Sequence, residues 1–162
     1  MKPIKTLITI LFISLLSSPS WSATLGDLVE RDGLYYEKFN DVPFTGKVTG
    51  SEQGSFKSGV KDGSWLWYWS TGQLWSKGKY KNGEKDGAWV SYLENGQLDF
   101  KGNYKNGLRE GAFILYHENG QLNYKGNYKS DGKEGAWVFY NEDGTVDKEY
   151  TGTFKDDMKI SD

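Results

Sequence analysis

Between residues 50 and 155 the apolar positions come in short alternating bursts separated by polar, glycine-bearing turns, and the bursts recur every 24 residues. Glycine keeps the period. Gly63, Gly87, Gly111 and Gly135 each open the run Gly, small, aromatic, aliphatic, any, Tyr, spelled "GSWLWY", "GAWVSY", "GAFILY" and "GAWVFY". A second column, Gly72, Gly96, Gly120 and Gly144, lies in "TGQL", "NGQL", "NGQL" and "DGTV". A third, Gly54, Gly78, Gly102 and Gly126, stands two residues before Phe56, Tyr80, Tyr104 and Tyr128. Self-similarity at a fixed spacing of this size marks a repeat architecture.

Glycine takes positive φ without steric penalty and Asn tolerates it, so "ENG" and "NG" between apolar runs predict tight hairpin turns. Each unit then reads as strand, turn, strand, with a second turn in "KNGEKDG". No helical period appears outside the N-terminal segment, and a lone hairpin is marginal in water, so each unit must lean on its neighbours. The expected fold is all-β, an elongated single twisted antiparallel sheet of stacked β-hairpin repeats. Units fall near 33–48, 54–79, 80–103, 104–127 and 128–155. With about ten strands spaced ~4.8 Å apart, the ribbon would be on the order of 50 Å long. The shortened unit at 33–48 and the late copy "EYTGTFKDD" look like caps, and residues 23–31 and those around Ile160 are expected to fray.

Two registers fit the pattern. A three-residue loop with Gly96 in a bulge puts Ala88, Val90 and Tyr92 on one face with Leu98, Phe100 and Tyr104, gathering the least variable columns together. A two-residue turn instead sets Trp89 opposite Gly102, an aromatic covering a bare backbone position. One residue of register separates them, and the first is the expected one.

The repeats "YKNGEKDGAWVSYLENGQL" and "YKNGLREGAFILYHENGQL", with the leading "DGLYYEKFNDVPFTGKV", resemble the bacterial MORN-repeat variant proteins over roughly residues 32 to 155. Some members of that family are labelled antitoxin components of toxin–antitoxin systems. The resemblance implies elongated β-hairpin sheets that serve in interaction and scaffolding and, in some eukaryotic members, in membrane-lipid association. It also admits an antitoxin-like or immunity-like role. The Gly-aromatic hairpins are similar, more distantly, to wall-binding repeats.

The first residues change the picture of where this happens. Lys2 and Lys5 precede an apolar run from Leu7 to Leu16 and then small residues, the order of a secretory signal peptide over 1–22, with the mature domain at 23–162. The run is too short for the roughly 20 residues of a spanning helix, so no transmembrane segment is expected after cleavage. The expected location is periplasmic or secreted. With no cysteine the chain has neither a disulfide framework nor a cysteine-linked lipid anchor. Its formal charge is −2, or −4 once Lys2 and Lys5 are removed, which excludes the basic excess that nucleic acid requires.

Catalytic inventory is thin. There is one His, His117, and no Cys, which leaves a His-assisted nucleophile a single imidazole and denies Cys nucleophiles and the common zinc sites their side chains, and no catalytic residue, metal or cofactor is assigned. His117 reads as a tolerated strand-end residue in a column with Trp69, Leu93 and Asn141. Asp62, Asp86, Glu110 and Glu134 recur beside Lys61, Lys85, Arg109 and Lys133 because the turn recurs, a solvated ladder. "NEDGTVDKE" lacks calcium-loop spacing. Lys77, Lys101 and Lys125, with Lys57, Lys81, Lys105, Lys129 and Lys155, read either as protection of a sheet edge or as a stripe for lipid or acids.

Aromatic residues supply the candidate site. Trp65 belongs to the repeat, whereas Trp67, Trp69 and Trp75 fill columns that other units give to Ser91, Leu93 and Asp99. Exposed, such a group marks a protein-binding hot spot or a sugar-stacking platform; buried, it closes the core. The function expected is a non-enzymatic protein-interaction or scaffold module, the alternative being a binding module for envelope carbohydrate or lipid.

Overall fold

The computed structural model describes residues 22–162; the expected signal peptide, but for Ser22, lies outside them. Before the repeats come β1 (Ala23–Thr24), a 3-10 turn (Leu25–Asp27), β2 (Leu28–Arg31), β3 (Leu34–Glu37) and β4 (Gly46–Thr49). The repeats contribute β5 (Glu52–Lys57), β6 (Val60–Lys61), β7 (Gly63–Tyr68), β8 (Leu74–Lys81), β9 (Glu84–Lys85), β10 (Gly87–Tyr92) and β11 (Leu98–Lys105). They continue through β12 (Leu108–Tyr116), β13 (Leu122–Lys129), β14 (Gly132–Tyr140), β15 (Val146–Lys155) and β16 (Met158–Ser161). From β4 onward the sheet runs in chain order and antiparallel, with the two-residue strands β6 and β9 pairing back onto β5 and β8. The all-β repeat fold is thus as the sequence implied.

Its N-terminal end is more ordered than expected. β1 joins the large sheet parallel to β4, and β2 pairs with β3 in a separate two-stranded sheet. Leu28 is buried there beside Val48, Phe56 and Trp65, so residues 23–31 do not fray: apolar burial holds them. Within 33–48, β3 pairs with β2 and β4 with β5, rather than with each other. Met158–Ser161 likewise forms a strand on β15.

The two registers are both partly right. At the turn, Leu93 N–H donates to Gln97 O and Gly96 N–H to Leu93 O, each at 2.8 Å, with Gly96 at φ +83°. This is the three-residue loop with a glycine bulge. One step farther, Tyr92 faces Leu98 but Ser91 faces Phe100, leaving Asp99 as an extra residue. This second bulge shifts the register by one and sets Trp89 opposite Gly102, but the ring leans the other way, onto Gly78, and Gly102 is covered by Phe113 instead. The expected gathering of Ala88 and Val90 with Phe100 and Tyr104 is therefore overturned. Trp75, Asp99 and Asn123 are extra at the same place in successive units.

The other turn has positive φ at two consecutive residues, Asn82–Gly83 (+51°, +86°) and Asn106–Gly107 (+49°, +80°), the pattern of a two-residue type I′ hairpin. In the fourth unit Ser130 and Asp131 take these places at +49° and +70°. Each such turn also ties to the unit before it. Gly83 N–H donates to Lys61 O and Gly107 N–H to Lys85 O, both at 2.9 Å.

The core sits on one face, because each large ring leans across a strand onto a bare glycine. Trp65 covers Gly54, Trp89 covers Gly78, Phe113 covers Gly102 and Trp137 covers Gly126, so that a Cβ at any of these glycines would collide with the ring. The indole N–H then donates to the carbonyl one residue beyond the glycine: Trp65 to Ser55 (3.2 Å), Trp89 to Lys79 (3.3 Å) and Trp137 to Asn127 (3.0 Å). Between these rings stand the tyrosines, edge to face. Tyr80 meets Trp89 at 5.2 Å, Tyr104 meets Phe113 at 5.5 Å, and Tyr128 meets Trp137 at 4.7 Å between centroids. Such pairs add about 0.5–1.5 kcal/mol each beyond area burial.

Candidate functional site

The four candidate tryptophans separate. Trp65 is 0% exposed and forms the centre of the N-terminal core cluster. Trp67 stacks on it at 5.7 Å, reaches Trp89 at 5.4 Å, and donates its indole N–H to Glu52 Oε2 at 2.9 Å. These two side chains are spent on packing. Trp69 and Trp75 instead pair with each other at the hairpin tip, 5.3 Å apart, with Trp75 43% exposed. Trp69 donates to Tyr92 O of the next unit at 3.2 Å.

His117 repeats that last contact two units on, its Nε2 lying 2.8 Å from Tyr140 O. A carbonyl only accepts, so Nε2 carries the proton, and the imidazole is a tie between hairpins as Trp69 is. The structural glycines behave uniformly. Gly63, Gly87, Gly111 and Gly135 lie at φ +84°, +79°, +79° and +74°, and Gly72, Gly96, Gly120 and Gly144 at +83° to +85°.

The charged columns are less solvated than the sequence suggested. Lys61 Nζ lies 4.3 Å from the Trp65 ring, Lys85 Nζ 4.4 Å from Trp89, and the Arg109 guanidinium 3.9 Å from Tyr128. Burial among the rings lowers the pKa of Lys61 and Lys85 and raises those of Tyr80, Tyr104 and Tyr128. Arg109 also donates from Nε to Asp131 Oδ1 at 2.8 Å, which holds that carboxyl below its ordinary value. Asp62 and Glu110 accept the backbone N–H of Asn82 and Ser130 in the following turns. These groups brace the repeats. Among the described residues no cluster of three His, Cys, Asp or Glu could hold a metal ion.

The opposite face carries the less expected feature. From β7 to β14 the register aligns Leu66, Lys77, Val90, Lys101, Ile114, Lys125 and Val138 as successive cross-strand partners. Alternation along each strand places this row on the side away from Trp65, Trp89, Phe113 and Trp137. Beside it runs a row of small residues, Ser64, Ala88, Ala112 and Ala136, opposite Lys79, Asn103, Asn127 and Thr153. Because the small row is low and the aliphatic row high, a groove of about 590 Å³ forms over β7 to β12, and one of about 300 Å³ continues over β12 to β14. Lys77, Lys101 and Lys125 therefore do not guard an edge. They sit in strands paired on both sides and rise from the middle of the sheet. Among the described residues no Asp or Glu lines either stretch of the groove.

Sequence reading missed this face because the unplaced bulge left the facing of Val90 and its equivalents open. The available signal was the glycine column two residues before the tyrosines, since a ring needs a bare position to lie on.

Comparison with known proteins follows the same units. Residues 61–82, 85–106 and 109–130 each match the family profile described as MORN repeat variant. No curated protein matches the chain. Among solved structures, a chain of the crystallised GtfA/B complex bound to UDP and GlcNAc aligns at 10% identity and a TM-score of 0.25. That alignment covers 90% of this chain and 27% of the other, a likeness too remote to bear on fold or activity. MORN repeats are commonly protein-binding or membrane-binding modules and are generally not catalytic. Residues 61–130 are thus three consecutive repeats of the MORN-variant type, and the flanking hairpins fold on the same plan.

Proposed function

We propose that this protein is an exported, non-enzymatic interaction module that binds another protein of the cell envelope or its surroundings through the sheet face opposite the aromatic core. The observation that carries the reading is the uncovered aliphatic row Leu66, Val90, Ile114 and Val138, one residue from each of the four units between 54 and 155, with a groove along it. Core stability has its own face, so this row is free to serve contact, and alternating apolar and polar groups with a polar rim suit a protein partner. The test is affinity capture from envelope extract of the host, comparing wild type with a Val90→Asp/Ile114→Asp variant of unchanged circular dichroism. A protein retained by the wild type and lost by the variant supports the reading. Equal retention by both sinks it.

One observation favours a second reading, binding of envelope carbohydrate. Trp75 is exposed at the hairpin tip with Trp69 against it, a surface on which a sugar ring can stack. Glycan fragments that quench tryptophan fluorescence in wild type but not in Trp75→Ala would favour it; no quenching would remove it.

A further inference from the structure

Resting on the protein-binding reading above, we infer that the groove takes an acidic, extended segment of the partner, lying across the strands with a carboxylate at every third residue. Charge sign is the first constraint. The chain as a whole is acidic, yet the residues lining the groove include Lys77, Lys79, Lys101 and Lys125 and no carboxylate. Charge of one sign set in a groove steers and selects a complementary partner.

Alternation then selects the kind of ligand. Along the row each lysine stands between two aliphatic residues, Lys101 between Val90 and Ile114 and Lys125 between Ile114 and Val138. Neighbouring strands lie about 4.8 Å apart, so like groups recur about every 9.6 Å. An acyl chain laid on this row would cover an ammonium group at every second strand. A uniform polyanion would leave the aliphatic positions facing charge. A polypeptide can alternate in step with both.

Spacing selects its conformation. Polyproline II rises about 3.1 Å per residue with three residues per turn, so one face repeats at roughly 9.3 Å, close to the lysine interval. Same-face positions of a β-strand recur at about 6.7 Å and would fall out of step by the second lysine. Two turns of α-helix span about 10.8 Å and drift by more than an ångström per lysine. The groove is thus matched to triplets with one acid and two apolar or proline residues.

The experiment measures fluorescence anisotropy of a labelled peptide of Glu-Pro-Val triplets, about twelve residues long, on the protein purified as its host produces it. Comparison probes are the same composition with its glutamates in one block, oligogalacturonate, and vesicles of phosphatidylglycerol. We expect the triplet peptide to bind about tenfold more tightly than the block peptide, and to weaken with salt. A Lys77→Gln/Lys101→Gln/Lys125→Gln variant should lose about tenfold in affinity, while Lys81→Gln/Lys105→Gln/Lys129→Gln, which removes equal charge at the strand ends, should lose little. Equal binding of the two peptides, equal loss in the two variants, or binding of only the polysaccharide or the vesicles would overturn the inference. If the triplet peptide fails while envelope capture still depends on Val90 and Ile114, this inference falls and the protein-binding reading stands.

Discussion

Trp89 and Val90 are neighbours on one strand and serve opposite faces of the sheet. Trp89 is 4% exposed, lies on the backbone of Gly78, donates to Lys79 O and carries Lys85 over its ring. Val90 stands between Lys77 and Lys101 with nothing laid over it but the edges of a groove. Beyond the N-terminal end, where Leu28 and Tyr35 of the small sheet pack on Phe56 and Trp65, the first face is closed by its own side chains. The second is regular and unfilled. A single-layer sheet can do this because glycine lets an indole lie flat on the strand, so that one ring buries both itself and a stretch of backbone. Stability is thus confined to one face here and the other is left unfilled, where most domains keep stability in a core and binding groups on loops.

That division can be broken first at the rings. Trp89→Ala should cost about 3–5 kcal/mol in urea unfolding, the range of large core truncations, whereas Val90→Ala should cost about 1 kcal/mol or less. Comparable losses would show that the two faces are not energetically distinct. Next comes the partner of the ring: Gly78→Ala places a Cβ against the Trp89 indole and should cost about 1–3 kcal/mol, with a shift in tryptophan emission as the ring is displaced. Unchanged emission would mean the ring does not rest there. Gly96→Ala sharpens the contrast, because that position has open space but φ +83°. Its cost, about 1 kcal/mol, should come from backbone strain alone and leave emission unaltered. The smallest effect expected is a gain. Phe113 occupies the ring position of its unit without an N–H, so Phe113→Trp should supply the missing bond to Asn103 O and stabilise by about 0.5–1.5 kcal/mol, read as a higher denaturation midpoint. A loss instead would mean that the unit cannot admit an indole.

The repeat, its hairpins and the positions of both turns were legible in the chain, because glycine and asparagine at positive φ leave a direct trace in sequence. Register was legible only in part. The bulge that fixes it falls on Trp75, Asp99 and Asn123, an indole and two short polar side chains with no common signature, and without it the parity of each strand is open. That single unknown hid which columns face inward. It made Trp65 and Trp67 look available for binding when they pack the core, and it left the aliphatic row without a face. The basic column misled for a different reason. Lys61 and Lys85 sit next to turn residues, where solvent is the ordinary expectation, but their aliphatic stems reach back over the aromatic rings.

The ring that leans on the preceding glycine makes every joint between units the same joint. Excising residues 80–103 would bring Phe113 onto Gly78 in place of Trp89, with the role of Tyr80 passing to Tyr104. The molecule is in this respect a measuring stick ruled in units of 24 residues. Its reach is altered by whole divisions, and a partner that reads its length would be counting repeats.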